Sequence, residues 1–321
     1  MSSINKTSII VGGSGQFGIT LALQLIKKKV KVIITTRNIK KTKKKFSTKN
    51  KYIKIIKLDV LKPKKIDLIL KKYKPNFIYY FAGLSSPGLS FQKPRETYLS
   101  NYVGCKNFLE NIRFRKINCK FLNANSCEIF AKTNKKLDIG SKKKPISPYG
   151  RSKLLSFNLT KEFREKYNLK AYNAIIFNTE SIYREKYFLI PKMCLAAIDA
   201  YKYRKKTYFG NLNISREWNW CEEQIKYMLH FLQKKPQDFL LSNQKIFSAK
   251  KMLEFAFKFF DLDYRKFVFM NKKYIRPNDF NIKKSNSKKT FISNNINYKY
   301  KVYGKKIIYK LIKYYLNESK Y

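Results

Sequence analysis

A strand, a glycine turn and a helix near the N-terminus restrict the fold more than anything that follows. Ser8-Ile9-Ile10-Val11 is a short apolar run of the kind found in buried parallel strands. Gly12-Gly13-Ser14-Gly15-Gln16-Phe17-Gly18 follows at once, and Ile19, Leu21, Leu23, Leu25 and Ile26 point to a helix. Glycines in that setting permit a tight turn and let a pyrophosphate approach the helix N-terminus, where N–H groups face the anion. The reading is a dinucleotide site on Gly12, Gly15 and Gly18 within an α/β fold.

The rest of the first half repeats the alternation. Residues 30–36 read as a second strand, with Arg37 at its end. An acidic residue there would hold a ribose 2′-hydroxyl, whereas arginine suits a 2′-phosphate, so Arg37 tips the choice toward NADP. Residues 38–51 read as a lysine-rich loop. Residues 52–58 form a third strand closed by Asp59-Val60, where Asp59 could accept from an adenine amino group. A helix at 66–72 and a strand at 77–82 come next. Gly83-Leu84-Ser85-Ser86 is small enough for close backbone approach to a cofactor. Residues 98–113 have helical spacing through Tyr102, Phe108, Leu109 and Ile112, and 121–124 is strand five. Such alternation predicts a Rossmann-like, doubly wound parallel sheet with its site at the strands' C-terminal ends.

Asn125-Ser126-Cys127-Glu128 therefore draws attention, with a hydroxyl and a carboxylate just past strand five. Further on, Ser147-Pro148-Tyr149-Gly150-Arg151-Ser152-Lys153 opens a helix reaching to residue 167. Tyr149 and Lys153, four apart, share one helix face. A lysine ammonium there stabilises a phenolate and makes the tyrosine a usable acid/base. In so lysine-rich a chain the bare pair would read as surface decoration; Ser126 and Glu128 give it a context. After a strand at 171–177, Asn178-Thr179-Glu180-Ser181 sits at the strand end. Helices at 191–203, 224–233, 249–260 and 305–316, a strand at 207–210 and a polar loop at 283–289 complete the chain. The domains read as 1–177, a cofactor-binding part with the Tyr149 helix, and 178–321. The latter is a smaller, interleaved, substrate-binding α/β part with some segments returning to the sheet.

The formal charge of +51 raises nucleic acid or an anionic membrane as partners. Lys, Asn, Ile, Tyr and Phe, the residues of A/T-rich codons, are however abundant throughout, and no helix-turn-helix or zinc finger accompanies the lysines. Compositional drift is the better account, and no nucleic-acid partner is expected. No apolar stretch approaches the ~20 residues of a membrane span, and residues 1–7 lack the apolar core of a signal peptide. Five scattered cysteines without a C-x-x-C pair suit a reducing cytoplasm. His230 is the single histidine, which argues against a histidine triad or zinc site.

The spacing Gly12-x-x-Gly15-x-x-Gly18 is that of the extended short-chain dehydrogenase/reductase family. Within it the chain resembles the GDP-mannose 4,6-dehydratase family. Phe177-Asn178-Thr179-Glu180-Ser181 looks like that family's L-F-N-H-E-S segment. Gly210-Asn211-Leu212-Asn213 with Arg216-Glu217-Trp218 looks like its G-N-L-D-x-x-R-D-W segment, and Tyr274-Ile275-Arg276-Pro277 resembles Y-F-R-P. Departures are Val11 for Thr, Phe17 for Asp, Ser126 for the catalytic Thr, Thr179 and Trp220 for His, Tyr80 where Asn is frequent, and Asn38 for a second basic residue.

The resemblance implies Ser126, Glu128, Tyr149 and Lys153 as catalytic groups. It implies NADP contacts from Gly12, Gly15, Gln16, Phe17, Gly18, Arg37, Asp59, Val60, Phe81, Ala82, Gly83, Ser85, Tyr149, Lys153, Thr179 and Arg184. Substrate contacts would come from Ser85, Asn178, Glu180, Lys192, Arg216 and Arg276, the two last holding a diphosphate. The implied reaction is dehydration of GDP-mannose through an internal hydride cycle, by a homo-oligomer. A nucleotide-sugar epimerase or reductase would use Ser, Tyr and Lys without needing Glu128 as a base. A decayed Rossmann protein binding nucleic acid is the rival from another class.

Overall fold

The structure, a computed structural model, describes residues 6–46, 50–271 and 284–318. Its strands in chain order are β1 (Thr7–Val11), β2 (Lys31–Thr36), β3 (Ile53–Lys57), β4 (Phe77–Tyr80), β5 (Lys120–Ser126), β6 (Ala171–Ile176), β7 (Thr179–Glu180), β8 (Thr207–Phe209), β9 (Ser215–Glu217), β10 (Asn219–Trp220), β11 (Asp238–Leu241), β12 (Ile246–Ser248) and β13 (Val268–Met270). The helices are α1 (Gln16–Lys27), α2 (Ile39–Lys43), α3 (Pro63–Tyr73), α4 (Pro87–Gln92), α5 (Pro94–Tyr98), α6 (Gly104–Phe114), α7 (Pro148–Tyr167), α8 (Leu189–Tyr203), α9 (Cys221–Phe231), α10 (Ala249–Lys258), α11 (Ser287–Ser293) and α12 (Lys305–Glu318). No helix among the described residues is long and apolar enough to cross a membrane.

The chain divides into two compact units, each discontinuous in sequence. The first comprises Met1–Ala131, Ile139–Ile176 and Ile225–Leu241; the second comprises Lys132–Asp138, Phe177–Gln224 and Ser242–Tyr321. In the first unit, seven parallel strands run in the order β11-β6-β5-β4-β1-β2-β3. The fold is thus the doubly wound Rossmann-like sheet, and its order reverses between β1 and β4, where such sheets bind ligands. β1, β2 and β6 are apolar and almost wholly buried because helices cover both faces. Ile9, Ile33, Ile78, Tyr80, Phe108 and Phe121 form part of a core under these helices, each contributing roughly 1.5–3 kcal/mol by burial.

In the second unit α8, α10 and α12 pack around Met193, Phe209, Trp218, Leu253, Phe257 and Ile308. Its strands pair in twos: β7 with β10 and β8 with β13 in parallel, β9 with β12 antiparallel.

Three expectations are corrected. The lysine-rich stretch 38–51 holds α2, begun by Asn38, whose Oδ1 accepts from Lys41 N at 2.9 Å; five residues are too few to display helical periodicity. The polar stretch 283–289 is not a loop throughout, since α11 begins at Ser287. The single helix read over 98–113 is three pieces: α5, a π-helical turn at Leu99–Val103, and α6. In addition β5 extends through Ser126, so Asn125 and Ser126 belong to the strand and do not follow it.

Candidate active site

Within the first unit the glycine turn is a surface cleared of side chains. Gly12 has φ +80, and a Cβ there would lie 2.6 Å from Ala82 N. Gly12 N and Gly13 N both donate to Thr35 O at 3.2 Å, and Phe81 N donates to Val11 O at 2.9 Å. The turn after β1 is thereby stitched to the ends of β2 and β4. Gly15 begins α1 without any side-chain cap, so the helix N-terminus presents backbone N–H groups alone. A Cβ on Gly18 would meet Gly13 Cα at 2.5 Å. This is the cradle a pyrophosphate requires, and the residues present fit one.

Around it lie the other residues expected to touch a cofactor. Gln16 and Phe17 start α1, and the Phe17 ring rests 5.6 Å from that of Phe81. Arg37 is exposed directly after β2. Asp59 follows β3 closely, but its Oδ1 accepts from Leu61 N at 3.0 Å, and Val60 O accepts from Asn107 Nδ2 at 2.8 Å. Gly83 has φ +140, and Ser85 beyond it is exposed.

The acid/base set is also held by local bonds. Ser126 Oγ accepts from Glu128 N at 3.2 Å and so caps the 3₁₀ turn Cys127–Ile129. Ser126 is buried and Glu128 half-buried. Ser147 caps α7, its Oγ accepting from Gly150 N at 3.0 Å, and Pro148 occupies the first turn. Tyr149 N donates to Ser90 Oγ at 3.1 Å. Gly150 is the point of close approach between the two pieces: a Cβ there would stand 2.5 Å from Glu128 O. One turn later Lys153 Nζ donates to Ala124 O at 2.8 Å and lies 6.0 Å from the Tyr149 ring centroid. Burial lowers the Lys153 ammonium to about 8, with Cys105 opposing part of the shift. Tyr149 and Lys153 are 8% and 6% exposed, so an ionised pair there is little screened by water.

One site residue was not found from the sequence. Asn101, in the π turn, is fully buried; its Nδ2 donates to Leu84 O at 3.2 Å and to Ser152 Oγ at 3.1 Å. Its Oδ1 has no hydrogen-bond donor among the described residues. Asn101 thus ties the loop after β4 to α7. The signal was an amide on the apolar stripe that continues through Cys105, Phe108 and Ile112. Tyr80 supports the turn, its hydroxyl donating to Ser100 O at 2.6 Å.

The remaining predicted residues belong to the second unit. Asn178 O accepts from Asn219 N at 2.8 Å, and Thr179 Oγ1 donates to Phe177 O at 2.8 Å. Glu180 is 1% exposed; burial raises its carboxyl to about 7, and Arg184, 3.5 Å away, pulls the other way. The Arg184 guanidinium also stacks 3.9 Å from the Phe188 ring. Lys192 Nζ donates to Tyr208 O at 2.6 Å, and burial lowers its pKa. Arg216 is buried, with Nη1 donating to Ser215 O at 2.9 Å. Its neighbour Glu217 accepts from Ser242 Oγ, from Ser285 N at 2.7 Å and from Ser285 Oγ at 2.6 Å. Arg276, with the 274–277 segment, lies outside the described residues. Among the described residues no group of three His, Cys, Asp or Glu side chains could hold a metal.

A family profile described as GDP-mannose 4,6 dehydratase matches residues 9–311. GDP-mannose 4,6 dehydratase 1 of Arabidopsis thaliana is 30% identical over 67% of this chain, which spans 62% of that protein. GDP-mannose 4,6 dehydratase of Dictyostelium discoideum is 30% identical over 82% of this chain and 78% of its own length. Among solved structures, dTDP-glucose 4,6-dehydratase from Bacillus anthracis in complex with NAD superposes with TM-score 0.84 at 16% identity, covering 98% of both chains. A UDP-glucose 4-epimerase from Thermotoga maritima with UDP-glucose gives 0.85 at 15% identity, covering 98% of this chain and 99% of its own. The two structures share the fold; the profile and the sequence relatives identify the family.

Proposed function

From the premise that this chain belongs to the GDP-mannose 4,6-dehydratase family, we propose that it removes water from GDP-mannose to form GDP-4-dehydro-6-deoxy-mannose. The observation that carries the reading is the close approach of the Glu128 backbone to Gly150, in the first turn of the Tyr149–Lys153 helix, with Ser126 Oγ bonded to Glu128 N. A reductase or epimerase needs the hydroxyl, the phenol and the ammonium; an elimination also needs a base for a carbon acid, and Glu128 supplies it.

NADP would be held by Gly12, Gly15, Gly18 and Arg37, and when bound would supply a reversible hydride acceptor. The residues of the chain divide the remaining work. Tyr149 takes the proton of the sugar C4 hydroxyl, and the Lys153 ammonium stabilises the phenolate form that does so. Ser126 donates a hydrogen bond to the C4 oxygen as it becomes a carbonyl. That carbonyl acidifies the C5 hydrogen, which Glu128 removes. The same carboxyl then protonates the departing C6 hydroxyl, so water leaves C6; as the hydride withdrawn from C4 is restored at C6, a proton returns to C5 and the 4-keto sugar is left with its 6-methyl group. Arg216 and Arg276 bind the diphosphate bidentately, and Asn178, Glu180 and Lys192 contribute to holding the sugar nucleotide.

Incubation of the purified protein with GDP-mannose and substoichiometric NADP tests this. The expected product is a 4-keto sugar bearing a 6-methyl group by proton NMR, with no net NADPH absorbance. Glu128→Gln should bind NADPH as the wild type does and lose turnover by roughly 10²–10⁴-fold. Inert GDP-mannose alongside conversion of another nucleotide sugar overturns the substrate, and wild-type turnover in Glu128→Gln removes that carboxyl from the mechanism.

A further inference from the structure

A lysine that takes no part in the chemistry above joins the glycine turn to the end of β2. Lys45 is half-buried, and its Nζ donates to Ser14 O at 3.1 Å across 31 residues of sequence. The short helix α2, which ends two residues before it, is fastened to the strand end. Asn38 N donates to Thr36 Oγ1 at 3.2 Å, and Asn38 O accepts from Thr42 Oγ1 at 2.8 Å. Thr42 Oγ1 also lies 2.9 Å from Thr36 Oγ1, in the protein interior. Lys45 N bonds Thr42 O at 3.0 Å, which closes the turn that brings the side chain back to Ser14. The ammonium therefore has a fixed place, on a residue less exposed than the other lysines of this stretch.

That place has a chemical meaning. In a sheet of this order the adenosine ribose of a bound dinucleotide lies between the glycine turn and the end of the second strand. A 2′-phosphate on that ribose would stand beside Arg37 on one side and the Ser14 carbonyl on the other. Residues 36–46 carry five lysines and one arginine and no carboxylate, so nothing there would hold an unmodified 2′-hydroxyl as an acidic residue does. We infer that Lys45 is a second determinant of cofactor choice, pairing with the phosphate monoester on the adenosine ribose of NADP and so selecting against NAD. The inference rests on the dinucleotide reading given above.

Dissociation constants for NADPH and NADH, read from nicotinamide fluorescence, test it on the wild type, Lys45→Ala and Lys45→Arg. The expected result is a loss of about tenfold in NADPH affinity for Lys45→Ala, as for one charge-assisted contact. NADH affinity should stay within about twofold, and Lys45→Arg should retain most of the NADPH affinity. The unchanged NADH value serves as the check that the variant is folded. Equal weakening of both dinucleotides would make Lys45 a prop for the glycine turn and overturn the inference, as would an unchanged preference for NADPH. If the wild type prefers NADPH while Lys45→Ala does too, the cofactor reading survives and only Lys45 is discarded. If the wild type binds neither dinucleotide, the cofactor reading falls and takes this inference with it.

Discussion

At the scale of the residue, Lys153 carries the most consequence, since it is an ammonium taken out of water and given one carbonyl at 2.8 Å. The unfolded chain keeps that proton to about 10.5, whereas the folded protein gives it up near 8. Between those values the unfolded state binds more protons, so stability rises with pH, by ~3 kcal/mol in all. Lys153→Met should abolish the rise. Its stability relative to wild type should be most favourable below pH 8 and should decline through pH 10.5, as measured by urea unfolding at a series of pH values. A flat difference across that window would mean that the lysine is better solvated than its surroundings indicate. The places of Ser126 and Glu128 at the end of β5 and of Tyr149 and Lys153 on one helix were legible in the sequence, because strand ends and helix faces follow from short-range pattern. Asn101 and Lys45 were not, because each works through a bond to a segment distant in the chain.

The π turn at Leu99–Val103 shows the same divide at the scale of the element. A wide turn shifts the register of a helix without altering the types of residue in it, so periodicity alone continues one helix through residues 98–113. Tyr80 shows what holds the bulge: its hydroxyl, fully buried, takes the Ser100 carbonyl, and Gly104 leaves room for that hydroxyl. Tyr80→Phe should cost about 1 kcal/mol, the loss of one hydrogen bond made by a buried hydroxyl. Because Asn101 sits in the bulge, the variant should also lose turnover beyond what its stability explains. Chemical denaturation and steady-state kinetics on the same preparation separate the two effects. β1 to β6 were readable from their short apolar runs and the alternation with helices, whereas β11, four residues long and far along the chain, was not. Helix α2 was not, since its start rests on an asparagine cap and its length hides any period.

At the scale of the whole molecule, lysines spread through helices, strands and loops alike give the formal charge of +51, and such a surface draws anionic nucleotides by long-range attraction. The first unit poses a different question, because its sheet needs residues from far along the chain. β11 pairs with β6 in parallel, and Asp238 Oδ1 accepts from Arg164 Nη1 at 2.8 Å and from Asn173 Nδ2 at 2.9 Å. A fragment of residues 1–177 should therefore aggregate and lack a cooperative thermal transition, measured by light scattering and calorimetry, while the full chain melts cooperatively. It would expose the β6 edge and deprive the half-buried Arg164 of its carboxylate partner Asp238. Synthesis on the ribosome meets the same obstacle. The seventh strand emerges only after the intervening residues of the second unit, so for that interval the nascent chain carries an open sheet edge. Helix α7, which supplies Arg164 to that closure, reaches its final setting only when the strand arrives.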